Sequence, residues 1–233
     1  MMAPRTHRSP NRFAVPATVL VAAVALLTTA CIPDVPSTGR ATPVRRVLVL
    51  GDSLSFGLFG TSPTIHGDLQ QRMNPSGIDV RVIGGPGSNP IAPWPGLAPW
   101  NDQLSYAVAT FDPDVVIIQS VLFPEFVTPE GEARYLGAIT SLFDIAQSQG
   151  AHTYIVAHHP PTNEREFLAA IEAERLQAQA GAGRGISTIP ATWWMQRCDK
   201  AFLFDGFHLA ANGVGCLADA MNAAVNQLRN EVG

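Results

Sequence analysis

The chain has 233 residues, 46% of them apolar and 15% charged, with a formal net charge of -4. That length suits one α/β domain with a proper core and an appendage, and makes two full domains improbable on size. Arg5, Arg8 and Arg12 all fall in the first thirty positions, which hold no acid, so the remainder is more acidic still and offers no basic surface for nucleic acid.

Residues 1–30 read as a signal peptide. A polar start with three arginines is followed by the apolar run Phe13 to Leu27 and then by small residues, which is the order of a secretory signal. The run is short for a membrane span, which usually needs about 20 residues. Thr28-Thr29-Ala30-Cys31 resembles a bacterial lipoprotein processing site, with Cys31 as the residue to be lipidated and Thr28 where Leu is usual. The expectation is an exported protein in the cell envelope, held to the membrane by lipid if Cys31 is processed and otherwise secreted.

Residues 31–43, rich in Pro, Ser and Thr, read as a tether. From there to residue 233 apolar runs alternate with helical patterns. The predicted strands are Val47–Leu50, Val80–Ile83, Val115–Ile118, Tyr154–Ala157 and Ile186–Ile189. Their continuous apolar character implies burial on both faces and hence a parallel sheet under helices. Helices are predicted over His66–Met73, Asp102–Thr110, Glu132–Gln147, Glu164–Ala180 and Ala210–Asn230. Asn163, with Glu166 three residues on, reads as a capping start to the fourth. Leu217, Met221, Val225 and Leu228 form a core-facing stripe on the last. The pattern predicts a three-layer α/β/α sandwich with a parallel sheet of about five strands, in which ligands sit beyond the carboxyl ends of the strands.

With Cys31 set aside, Cys198 and Cys216 remain. In an oxidising compartment they are expected to pair. Their spacing does not suggest a metal site.

Two short segments carry the chemistry. Gly51-Asp52-Ser53-Leu54 ends the first apolar run, where a turn into a helix would hold a hydroxyl above the sheet. A serine hydroxyl needs a base, and the base an orienting carboxylate. Asp205-Gly206-Phe207-His208 supplies both, three residues apart, so that the carboxylate can reach one ring nitrogen and leave the other for Ser53.

These two blocks, in this order and the second just before a closing helix, resemble the SGNH (GDSL-type) hydrolase superfamily over the whole of residues 44–233. The resemblance implies a flavodoxin-like sandwich and a serine esterase without metal or organic cofactor, acting on a small-molecule or carbohydrate ester. Ser53 would be nucleophile, His208 general base and then acid, and Asp205 the orienting carboxylate. The oxyanion donors would be the Ser53 N–H and a glycine N–H of the second block, Gly87 with Gly85 as the alternative.

In the third block the sequence departs from the family. Phe123 falls where an Asn would donate to the oxyanion, and Gln119, Ser120 and Asn89 are the possible replacements. Pro86-Gly87, Trp100, Glu125 and Cys198 resemble the SGNH domains of bacterial membrane O-acyltransferases, which implies short acyl groups, especially acetyl, on cell-envelope carbohydrate. Acyl transfer to carbohydrate, and a catalytically weak envelope-binding domain that keeps the fold, are the alternatives to hydrolysis. His158-His159-Pro160 closes the fourth strand, where a turn with one ring packed and one solvated is the favoured reading over substrate contact. Trp94, Trp100, Trp193 and Trp194 could stack on sugar or plug the core.

Overall fold

The computed structural model describes residue 39 and residues 43–57, 64–157 and 162–232. The expected signal peptide, Cys31 and the turn expected at His158-His159-Pro160 lie outside the described residues. No helix among the described residues is long and apolar enough to cross a membrane.

The apolar runs form five strands: β1 (Arg46–Gly51), β2 (Asp79–Gly84), β3 (Val115–Ile118), β4 (His152–Val156) and β5 (Ser187–Ile189). They pair in parallel in the order β2-β1-β3-β4-β5, the flavodoxin-like arrangement. Alternation along each strand divides the core in two. Val47, Val49, Val115 and Ile117 pack on one face with helices α2 (Ile65–Met73), α6 (Ala191–Met195) and α7 (Ala211–Val232). Leu48, Leu50, Val116 and Ile118 pack on the other with α3 (Trp100–Phe111), α4 (Pro129–Gln147) and α5 (Glu164–Gly181). Both faces of the sheet are therefore covered, which is why its strands read as unbroken apolar runs. The expected three-layer sandwich is the observed fold.

The predicted elements are all present, with no end displaced by more than three residues. Strand four starts at His152 and ends at Val156, before the predicted Ala157. Two short helices lie outside the predicted ranges. The four-residue α1 (Ser53–Phe56) is one, the turn into a helix expected at Ser53. The other, α6, is a single turn after Pro190 that carries Trp193 and Trp194 and is too short to show a period.

Cys198 and Cys216 form a disulfide, joining the turn after α6 to the second turn of α7. The segment between them leaves and returns as a narrow excursion, with Phe202 bridged to Leu209 and the Ala210 N–H donating to the Ala201 carbonyl (2.9 Å). Closing a loop of this size stabilises by about 3 kcal/mol on the chain-entropy model. Reduction is accordingly expected to lower unfolding free energy by about that amount. Urea unfolding with and without dithiothreitol measures it, and coincident midpoints would show that the bridge adds nothing.

Candidate active site

Topology brings the chemistry together. In the order 2-1-3-4-5 the crevice opens beyond the carboxyl ends of β1 and β3. Ser53 follows β1 with only Asp52 between, and the segment holding Phe123 follows β3. Asp52 turns the chain: it caps α1 by accepting the Leu54 N–H at Oδ1 (2.9 Å), so Ser53 becomes the first helical residue, largely buried, with its hydroxyl held in place.

Asp205 and His208 arrive from the opposite end of the chain. The Asp205 Oδ1 accepts the N–H groups of Phe207 and His208, both at 3.0 Å, which winds the loop into a tight turn. Gly206 sits in the left-handed region (φ +69°), and a Cβ there would strike the Thr162 hydroxyl. The second carboxylate oxygen accepts from His208 Nδ1 at 2.6 Å. That fixes the tautomer, so Nε2 presents its lone pair to the Ser53 hydroxyl, which donates to it at 3.1 Å. The three predicted residues thus form one connected relay of hydrogen bonds.

Partial burial pushes the Asp205 carboxyl up, but the bonds from Phe207 N–H, the His208 ring and His208 N–H outweigh it and hold the group below the ordinary carboxylate range. It stays ionised through the pH range in which an imidazole titrates, as a group that must stabilise an imidazolium should. The Phe207 ring stands edge-on to His208, centroids 4.9 Å apart, and limits its rotation.

A cleft of about 260 Å³ opens on this relay, lined by Ser53, Pro86, Gly87, Phe123, Glu166, Phe207 and His208. Of the two glycines considered as oxyanion donors, only Gly87 lies on it. Gly85 donates its N–H to the Gly51 carbonyl (3.1 Å) and so continues the β1–β2 ladder, which withdraws it. Gly87 adopts φ +71°, and a Cβ there would run into the Trp94 ring, so only glycine fits this turn. Among the described residues nothing takes the N–H groups of Ser53 and Gly87.

Phe123 occupies the wall of the cleft, as its place in the sequence implies. The replacements considered for the missing Asn do not reach it. Gln119 is buried, its Oε1 accepting from the Ser55 hydroxyl (3.0 Å) and the Asp52 N–H (3.4 Å). Ser120 is bonded to the Tyr135 hydroxyl (3.0 Å), in a buried knot completed by Gln177, which donates to that hydroxyl at 2.9 Å. Asn89 is buried off the cleft lining, its Oδ1 accepting the N–H groups of Ile91 and Ala92 and its Nδ2 without a partner among the described residues. All three face inward because their segments have backbone groups or hydroxyls to satisfy where water is absent.

Three residues in or beneath the cleft were not singled out for it by sequence. Asp52 is fully buried and, besides capping α1, accepts the Val121 N–H at Oδ2 (3.2 Å), thereby tying the Ser53 turn to the segment that holds Phe123. Burial pushes its carboxyl up to about 7, against the bonds from Leu54, Gln119 and Val121. Glu166 reaches the cleft from α5. Its N-terminal cap is Asn163, as expected, accepting the N–H groups of Arg165 and Glu166. Partial burial raises the Glu166 carboxyl, with Glu125 and Asp205 acting in the same sense and Arg165 and His208 against it. Phe207 was visible only as a spacer between Asp205 and His208.

The tryptophans divide. Trp100 is a core residue, its Nε1 donating to the Ser88 hydroxyl (3.0 Å). Trp193 lies under the Arg197 guanidinium, 3.8 Å from the ring centre, and Trp194 packs against the core. Trp94 is 44% exposed beside Gly87.

No protein-family model and no curated protein matches the sequence. Solved structures do match its fold. A protein assigned to the SGNH hydrolases, from Slackia heliotrinireducens, superposes with a TM-score of 0.61 at 19% identity, covering 78% of this chain and 98% of that one. The psychrotrophic esterase EstA from Pseudoalteromonas sp. gives 0.57 at 16% identity, covering 80% and 99%. A GDSL-like lipase from Bacteroides thetaiotaomicron gives 0.56 at 15% identity, covering 80% and 88%. On the topology and these superpositions, the chain is built on the fold of the SGNH, or GDSL-type, hydrolases.

Proposed function

We propose that this protein is an exported serine esterase that cleaves short-chain, especially acetyl, carboxylic esters through an acyl-enzyme on Ser53. The observation that carries the reading is the unbroken relay Ser53–His208–Asp205 at the floor of a cleft, at 3.1 and 2.6 Å. Ser53 Oγ attacks the carbonyl carbon as His208 Nε2 takes its proton, and Asp205 stabilises the imidazolium. The tetrahedral oxyanion is held by the N–H groups of Ser53 and Gly87. Collapse breaks the ester C–O bond, and His208 returns the proton to the departing alcohol. Water then attacks the acyl-enzyme by the same relay, releasing the acid and free Ser53.

A cleft of about 260 Å³ is small beside the roughly 300–1,000 Å³ of ordinary ligand pockets, which favours a short acyl group. Expected with a nitrophenyl ester series is a maximum of kcat/KM at acetate to butyrate, falling at longer chains. A maximum at long chains would replace this reading with a lipase.

Acyl transfer to a carbohydrate hydroxyl is the second reading. It is favoured by the wall made of Pro86-Gly87 and Phe123 and would show as an acylated acceptor formed in place of free acid. Export and lipidation at Cys31 rest on residues 1–31 alone, and mass spectrometry of the mature N-terminus tests both.

A further inference from the structure

Among the described residues the cleft lining holds one ionisable side chain beyond the relay, and it is out of keeping with the rest. Pro86, Gly87, Phe123 and Phe207 present carbon and ring surface, while Glu166 sets a carboxylate among them, on the same cleft as Ser53 and His208. The relay does not use it: His208 is already oriented by Asp205. Nor does the helix need it, since Asn163 caps α5 with its own side chain. A carboxylate beside a developing oxyanion is unfavourable for hydrolysis, so its presence points to the substrate rather than to the chemistry.

Three properties narrow what it would hold. Among the described residues no Lys or Arg lines the cleft to balance the charge. Glu125 stands close enough to add to the negative field; of the two groups that oppose it, Arg165 is on the exposed side of the helix and outside the lining, and His208 belongs to the relay. The walls contribute few polar side-chain groups, whereas a sugar ring needs several donors and acceptors at once. A carboxylate that shares a cleft with two aromatic rings is the chemistry that takes an alkylated ammonium, whose methyl groups need apolar contact and whose charge needs one anion and ring faces.

We infer that Glu166 is the specificity-determining residue of the cleft and that, with Phe123 and Phe207, it receives a quaternary ammonium group carried by the alcohol part of the ester. The inference rests on the esterase reading and names its substrate class: short-chain esters of ammonium-bearing alcohols. The ester bond lies over Ser53 while the cation rests against Glu166. The cationic alcohol leaves with the proton from His208, and water then releases the acid from Ser53, so that water is the one co-reactant.

The test compares acetylthiocholine with its uncharged isostere, in which carbon replaces the quaternary nitrogen, on the full chain. The wild-type protein is expected to favour the cationic ester by about tenfold in kcat/KM, the difference residing in KM. Glu166→Gln is expected to bring the ratio close to one, and Glu166→Asp to restore part of it. In parallel, tetramethylammonium chloride is expected to slow fluorophosphonate labelling of Ser53 in the wild type and to lose that effect in Glu166→Gln. A wild-type ratio near one, a ratio that survives Glu166→Gln, or a stronger preference for a neutral sugar acetate overturns the inference and leaves the esterase reading standing. Absence of turnover on every ester, together with absence of a Ser53 adduct, overturns the esterase reading itself.

Discussion

Ser53→Ala is expected to reduce nitrophenyl acetate turnover by about 10⁴-fold or more, because without the hydroxyl no acyl-enzyme can form and only binding and the oxyanion donors remain. Stability should hardly change. Ser53 is small, its side chain makes one hydrogen bond to the half-buried His208, and a bond of that kind contributes about 1 kcal/mol. Alanine also suits the first turn of α1. The cap that shapes the turn belongs to Asp52, which is untouched. Initial rates on the purified variant, with urea unfolding as the control, measure both quantities. Residual turnover within tenfold of wild type in a folded variant would remove Ser53 as nucleophile.

Phe123→Asn is expected to act in the opposite direction on rate. On the proposed reading the oxyanion has two backbone donors, Ser53 N–H and Gly87 N–H, both on residues that line the cleft, and Phe123, with no polar side-chain atom, contributes none. A side-chain donor at an oxyanion is worth on the order of a hundredfold or more in kcat. Phe123 stands on the cleft wall where an Asn carboxamide would face Ser53, so the substitution should raise kcat by roughly ten- to hundredfold. It should also cost stability. The Phe123 ring stacks on Phe126 (centroids 6.5 Å) and packs against the core beneath it, and its removal forfeits about 1–3 kcal/mol of burial. An increased kcat with a lowered urea midpoint is the expected pair of results. An unchanged kcat in a folded variant would mean that the oxyanion is held by a group elsewhere.

The layers of this fold were legible because its strands are buried on both faces: Val47–Leu50 and Val115–Ile118 are continuous apolar runs and nothing but a covered sheet explains them. The relay was legible because its parts are types that few structural needs place together, a serine at a strand end and an Asp three residues before a His. What sequence could not show is which way short segments turn. Gly85 and Gly87 are equivalent as letters, and only the ladder bond from Gly85 to Gly51 separates them. Gln119 and Ser120 have the right chemistry to replace the missing Asn, but their partners, Ser55 and Tyr135, lie 64 and 15 residues away. Glu166 read as part of a helix start, and its place on the cleft follows from how α5 packs, a tertiary fact with no local signal. Asp52 was read as part of a motif, whereas its brace to Val121 spans 69 residues.

That brace also says why an acidic residue tolerates full burial next to the nucleophile. The carboxyl receives N–H groups from both sides of the crevice, one from the Ser53 turn and one from the Phe123 segment. Both walls are therefore set by one group, and the distance between nucleophile and oxyanion wall is fixed before substrate arrives.

The claim on which the rest depends is that Ser53 is an activated nucleophile. Labelling with a fluorophosphonate, followed by peptide mass spectrometry, tests it without assuming a substrate. The account predicts a single adduct on Ser53, lost when His208 is replaced by Ala. A folded protein that takes no adduct, or takes it at another serine, would contradict it.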